Sequence, residues 1–137
     1  MFSELIQLSF DKIMQTRAYT VIVLTANDKS FAIYTDPNIG KMLQLFLTEV
    51  ETPRPLTHEF IDRLFEGMDI RVKQVVINDV QDTVYYARVF LEQDQGDIRH
   101  IIEIDARPSD ALTLALMNNA PVYCTNEVFD KIIPIEE

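Results

Sequence analysis

Apolar and polar residues alternate over residues 3–10, with Leu8 and Phe10 among the apolar positions, so the chain opens as a half-buried strand. Residues 19–24 are β-branched and apolar, the Asn27-Asp28 pair signals a turn, and residues 30–35 read as a third strand. At Asp36-Pro37 the period changes. Met42, Leu43, Phe46, Leu47 and Val50 recur at helical spacing and predict a helix to about residue 49. Pro53-Arg54-Pro55 breaks it. A second helix is predicted over 57–66, with Phe60, Ile61, Leu64 and Phe65 as its stripe, Thr57 as N-cap, Glu59 in the first turn and Gly67 as C-cap. The series then recurs: strands over 70–78, 83–91 and 99–105, with a polar glycine-containing loop at 92–97. A helix follows over 108–119, ending at Asn118-Asn119, then an extended piece at 121–124 and a last helix at 125–133.

The recurrence extends to residues. Thr57-His58-Glu59-Phe60-Ile61-Asp62-Arg63-Leu64 lines up with Thr125-Asn126-Glu127-Val128-Phe129-Asp130-Lys131-Ile132, and Pro37-Asn38 with Pro108-Ser109. The reading is an α+β domain of two related β-β-β-α-α halves, about 1–68 and 69–137, packed together as an internal duplication.

Composition fits one folded domain of 137 residues, 47% of them hydrophobic, with 3 Gly and 6 Pro. The lone Cys124 can form no intrachain disulfide and reads as a small core residue, which suits a reducing cytoplasm. Glu4, Asp11 and Lys12 interrupt the first apolar stretch, so no signal peptide is expected. No apolar run reaches the length of a membrane span. The net charge of −10 disfavours strong nonspecific nucleic-acid binding, which depends on clustered bases.

Candidate chemistry gathers at Ile104-Asp105-Ala106-Arg107-Pro108-Ser109-Asp110-Ala111, a strand-to-helix junction. Pro108 fits the first helical position, and Asp110 falls in the first turn, facing the positive end of the helix dipole. Glu103 and Asp105 share one strand face and, with Asp110 across the turn, could hold a hard cation such as Mg²⁺ or Mn²⁺. Equally, Asp110 could cap its own helix while Asp105 pairs with an arginine. Arg54 and Arg107 each precede a proline, which keeps their backbone extended. Such a guanidinium suits a bidentate phosphate contact or a buried salt bridge joining the two halves. His58 sits in the first turn of its helix, where the dipole favours a neutral imidazole able to act as a base; a surface or interface histidine is the plainer alternative. Tyr85 and Tyr86 face opposite ways on their strand, so one at most can stack on a base.

Pro53-Arg54-Pro55-Leu56-Thr57-His58 and the junction octapeptide resemble the two signature blocks of the bifunctional nuclease domain family. Ala120-Pro121-Val122-Tyr123 resembles its third block and Tyr85-Tyr86-Ala87 a weaker one. The likeness runs over about residues 5–133. It implies an α+β fold of two β-rich repeats, frequent dimerisation, and cleavage of RNA and DNA. The segment Thr35-Asp36-Pro37-Asn38-Ile39-Gly40-Lys41 departs from the pattern: Asp36 stands where a glycine is usual and Ile39 where a glutamate is usual.

Two functions stay open: a nuclease, possible with metal assistance, and a non-enzymatic dimeric module for a protein or ligand. The nuclease reading assigns catalysis to Asp105, Asp110 and His58, substrate contacts to Arg54 and Arg107, and metal to Glu103 and Asp105. It expects Arg54, His58, Asp105, Arg107 and Asp110 to converge, and a homodimer with an apolar interface that covers exposed sheet edges.

Overall fold

The computed structural model describes residues 4–135. The element order is β1 (Leu5–Gln15), β2 (Thr20–Ala26), β3 (Lys29–Thr35), α1 (Pro37–Leu47), α2 (Thr57–Gly67), β4 (Ile70–Gln81), β5 (Val84–Gln95), β6 (Ile98–Ala106), α3 (Pro108–Met117), β7 (Val122–Thr125) and α4 (Asn126–Lys131). The fold is α+β: one seven-stranded mixed sheet, ordered β3-β2-β1-β7-β4-β5-β6, with four helices.

Two antiparallel meanders, β1–β3 and β4–β6, flank β7, which runs antiparallel to β1 and parallel to β4. β1 serves both sides. Leu5 to Leu8 pair with β7, and from Ser9 onward the strand pairs with β2, with a bulge between Phe10 and Lys12. A bulge bends its strand, and the sheet curls. Phe31 on β3 stacks on Tyr85 of β5 at 5.3 Å between ring centroids, although four strands separate β3 from β5 in the sheet order.

Helix α3 fills the concavity. Ala111, Leu112, Thr113, Leu114 and Ala115 are all buried, and a helix apolar around its whole circumference belongs inside a core. It packs against β3, β4, β5, α1 and α2. Its start is therefore held rigidly from several sides.

Helix α1 lies against β1 and β2 through a close approach at Gly40. The Gly40 N–H donates to the buried Thr20 hydroxyl at 3.0 Å, and a Cβ on Gly40 would run into that same oxygen. Gly40→Ala gains about 1 kcal/mol of helix propensity. It costs about 1–3 kcal/mol in overpacking and loses the hydrogen bond as well. A net loss of about 1–2 kcal/mol is expected in urea denaturation.

Several local expectations are corrected. The second half is β-β-β-α-β-α, because the 121–124 piece enters the sheet as β7 and satisfies the edges that β1 and β4 would otherwise leave open. Thr57 is the first helical residue of α2, not its cap. The cap position is Leu56, whose N–H donates to Glu59 Oε1 at 3.0 Å. Gly67 lies inside α2, and the left-handed residue that stops the helix is Asp69 at φ 54°. Glu49 and Asn119 end α1 and α3 in the same conformation, with Val50 N–H reaching Leu45 O and Ala120 N–H reaching Ala115 O, the double closure of a Schellman motif. The polar stretch at 92–97 is mostly strand: β5 runs to Gln95 before turning at Gly96.

Candidate functional site

Asp110 is the third residue of α3 and joins two partners. Arg107, at the N-cap position, donates from Nε to Asp110 Oδ2 at 2.9 Å. His58, on the first turn of α2, lies with Nε2 3.0 Å from Asp110 Oδ1. The histidine is 6% exposed and the Arg107 side chain 72% exposed, so the carboxylate links a buried imidazole to a solvent-facing guanidinium. Burial alone would push the Asp110 carboxyl up; the hydrogen bonds from Arg107 and His58 outweigh it and hold the group below its ordinary value.

A second carboxylate sits one turn along α2. Asp62 accepts from Asn118 Nδ2 at 2.9 Å, and burial pushes its carboxyl up despite that bond and the nearby imidazole.

His58, Arg107 and Asp110 face a cleft of about 430 Å³ between the helices and the inner face of β5 and β6. Apart from Thr57 its other walls are apolar, with Ile39, Phe65, Leu91 and Ile104 among them. Ile39 therefore occupies the cleft wall. Asp36 is the side-chain cap of α1, accepting from Asn38 N–H at 2.9 Å and Ile39 N–H at 3.3 Å. Its charge adds, after that of Asp110, to the field that keeps Arg107 protonated.

The other candidates lie elsewhere. Arg88 gathers Glu103 and Asp105, with Nη2 3.0 Å from Glu103 Oε2 and Nη1 3.7 Å from Asp105 Oδ1. They share a face of β6 as expected, but it is the face turned away from the cleft, and the Asp105 side chain is 72% exposed. Arg54 lies exposed before α2 and joins no ion pair with Asp105 or Asp110 among the described residues. The expected convergence of five residues is thus reduced to three: His58, Arg107 and Asp110. No group of three or more His, Cys, Asp or Glu side chains is placed to hold a metal among the described residues. A cation bound by Glu103 and Asp105 would have to displace Arg88. Asp105→Ala removes one long, solvent-screened contact and should change stability by no more than about 0.5 kcal/mol in thermal denaturation.

The sequence matches the Bifunctional nuclease domain over residues 21–135. The chain belongs to the bifunctional nuclease domain family. An uncharacterised protein of Mycobacterium tuberculosis is 31% identical over 101 residues, covering 74% of this chain and 57% of its own length. Bifunctional nuclease 1 of Oryza sativa subsp. japonica is 25% identical over 122 residues, covering 85% of this chain and 36% of its own. Bifunctional nuclease 1 of Arabidopsis thaliana is 26% identical over 81 residues, 59% of this chain and 25% of its own. The chain thus corresponds to part of each of these longer relatives.

In this family member the two signature blocks meet physically: His58 ends the first, and Arg107 and Asp110 belong to the second. Sequence reasoning passed over Asp62, Asn118 and Arg88. The first had a readable signal, since Asp62 stands four residues after His58, one helical turn away.

Proposed function

We propose that this chain hydrolyses phosphodiester bonds at the His58–Asp110–Arg107 cluster. The observation that carries the reading is the single Asp110 carboxylate accepting from both a buried imidazole and an exposed guanidinium at the mouth of one cleft. Ionised Asp110 accepts a hydrogen bond from the Nε2–H of His58, which fixes that tautomer and leaves Nδ1 as the nitrogen that accepts a proton from attacking water. Arg107 spends only Nε on Asp110, so its two terminal nitrogens are free to neutralise charge on the phosphoryl oxygens. The leaving oxygen takes its proton from solvent water. The relatives named as bifunctional nucleases support RNA and DNA as substrates. The donor set around Glu103 and Asp105 does not fit a metal, because the Arg88 guanidinium already lies against both carboxylates. Incubating the purified protein with labelled RNA and DNA, with EDTA and then with Mg²⁺ or Mn²⁺, tests the reading. Cleavage is expected, and an inert protein under all these conditions contradicts it.

The reading includes a homodimer. β6 ends the sheet, and Ile98, Ile101 and Ile104 are exposed along it. Antiparallel self-pairing centred on Ile101 sets Ile98 against Ile104 and Arg99 against Glu103 of the second copy, an apolar and an opposite-charge match. Light scattering should give a dimer mass for the wild type and a monomer mass for Ile101→Lys. A wild-type monomer at micromolar concentration contradicts this part.

We propose further that the two halves arose by internal duplication. Each meander runs outward from β7, and each is followed by a helix with proline at its first position, Pro37 and Pro108. A compartment that keeps thiols reduced suits Cys124, which is buried and whose thiol is pushed up to about 11 by that burial. No helix among the described residues is long and apolar enough to cross a membrane.

A further inference from the structure

A second, larger concavity opens on the other side of Arg107. It has a volume of about 1150 Å³ and lies where the curl of the sheet leaves a gap between β3 and the β4–β5 hairpin. Arg107 and Ala106 line both this groove and the cleft that holds His58. Three tyrosines border it: Tyr34 on β3, and Tyr85 and Tyr86 on β5. Tyr85 is committed to the core through its stack on Phe31. Tyr34 is 66% exposed and is braced edge-on by Tyr19 at 5.5 Å, and Tyr86 is 39% exposed. Two open aromatic rings therefore border one groove. Lys131, exposed at the end of α4, adds a second cation to Arg107. The hairpin turn at its rim holds two successive left-handed residues, Asp82 at φ 50° and Thr83 at φ 71°. Both angles are those a two-residue hairpin turn requires, so the turn closes β4 onto β5 at the groove's rim.

We infer that this groove is a subsite for the unpaired bases of a single-stranded nucleic acid, which stack on Tyr34 and Tyr86 while the backbone passes Arg107 and Lys131. The inference rests on the hydrolytic reading of the adjoining cleft and names the form of its substrate. The volume lies above the usual range of small-molecule pockets, about 300–1,000 Å³, and suits an extended ligand. The charge balance decides between single strands and duplex. Duplex binding draws mainly on many phosphate contacts, whereas this chain carries a net charge of −10. The groove offers two cations and also exposes Asp82 and Asp105. Stacking on aromatic rings does not depend on net charge and accepts any base. Only a strand with free base faces can use it.

The experiment is fluorescence anisotropy with a short labelled single-stranded DNA in EDTA, repeated with the same sequence as a duplex. The wild type should bind the single strand and prefer it to the duplex. The salt dependence should be shallow, with a log–log slope of about −1.4, the value for two phosphate contacts on a single strand. Tyr34→Ala and Tyr86→Ala should each weaken binding about tenfold, whereas Tyr34→Phe and Tyr86→Phe, which keep the ring, should bind as the wild type does. Lys131→Ala should flatten the salt slope. No binding by the wild type, equal affinity for duplex, or alanine variants that bind as well as the wild type would each overturn the inference. Cleavage measured in parallel separates the two readings. Strands bound through the tyrosines but never cut leave the subsite standing without the hydrolytic site. Strands cut equally well by the tyrosine variants leave the hydrolytic site standing without the subsite.

Discussion

Asp110→Ala should abolish cleavage and make the protein measurably less stable. Removing the carboxylate leaves the buried His58 Nε2 with no acceptor, and an unsatisfied buried polar group costs about 1–3 kcal/mol. Arg107 adds little to that loss, because its guanidinium already faces water. On activity, the variant loses the group that orients the imidazole and the one that anchors the guanidinium. A fall of about 10²–10⁴-fold in rate is the scale of a lost general base. Acid titration of stability provides the second readout. The native Asp110 carboxyl lies below its ordinary value of 3.8, so its contribution is full above that value and is lost as pH falls through the lowered native one. Asp62 acts with the opposite sign. Its raised native value costs stability at neutral pH, and that cost is relieved on acidification. Equilibrium urea denaturation between neutrality and pH 3 should therefore show a gap between wild type and Asp110→Ala that narrows in acid. A gap of the same size at every pH would remove the ion-pair explanation.

Phe31→Ala should have the largest effect on folding. The ring is fully buried, and its stack on Tyr85 is a direct contact between β3, at one end of the curled sheet, and β5, next to the other end. Truncating a buried phenylalanine costs about 3–5 kcal/mol, against a total stability of about 5–15 kcal/mol for a domain. The urea midpoint should fall by about a fifth or more. Tyr85 would lose its support at the floor of the tyrosine groove, so ligand binding there should weaken with the fold. A midpoint close to that of the wild type would mean that β3 and β5 do not depend on each other.

The strands and helices that bury an apolar face were legible in the sequence because burial imposes a period. Helix α1 is a partial example: Met42 and Leu43 of its stripe are buried, whereas Phe46 and Leu47 are exposed, as are Phe60 and Leu64 on the stripe of α2. The end of β5 was not legible, because Glu92 to Gln95 carry no apolar alternation. They stay extended through cross-strand ion pairs of Arg71 and Arg99 with Glu92 and Asp94. The place of β7 was hidden for another reason. Four residues carry too little pattern to announce that they lie between β1 and β4, and such pairing is set by the whole sheet. In the candidate site, His58, Arg107 and Asp110 were picked out from their positions at helix starts, and they meet. Asp105 was picked out from the same motif and stands apart, and strand alternation explains why. Ala106 and Ile104 face inward against Ala87 and Val89, so Glu103 and Asp105 must face out. Arg54 had only its proline to recommend it, and an extended backbone fixes no direction for the side chain.

The most direct measurement compares initial rates of cleavage of a labelled single-stranded substrate by the wild type, His58→Gln and Asp105→Ala, each confirmed as folded by circular dichroism. With the site at His58–Asp110–Arg107, His58→Gln loses about 10²-fold or more in rate, while Asp105→Ala cleaves as the wild type does. Full activity in His58→Gln together with loss in Asp105→Ala would contradict the account and move the chemistry to the Arg88 face of β6.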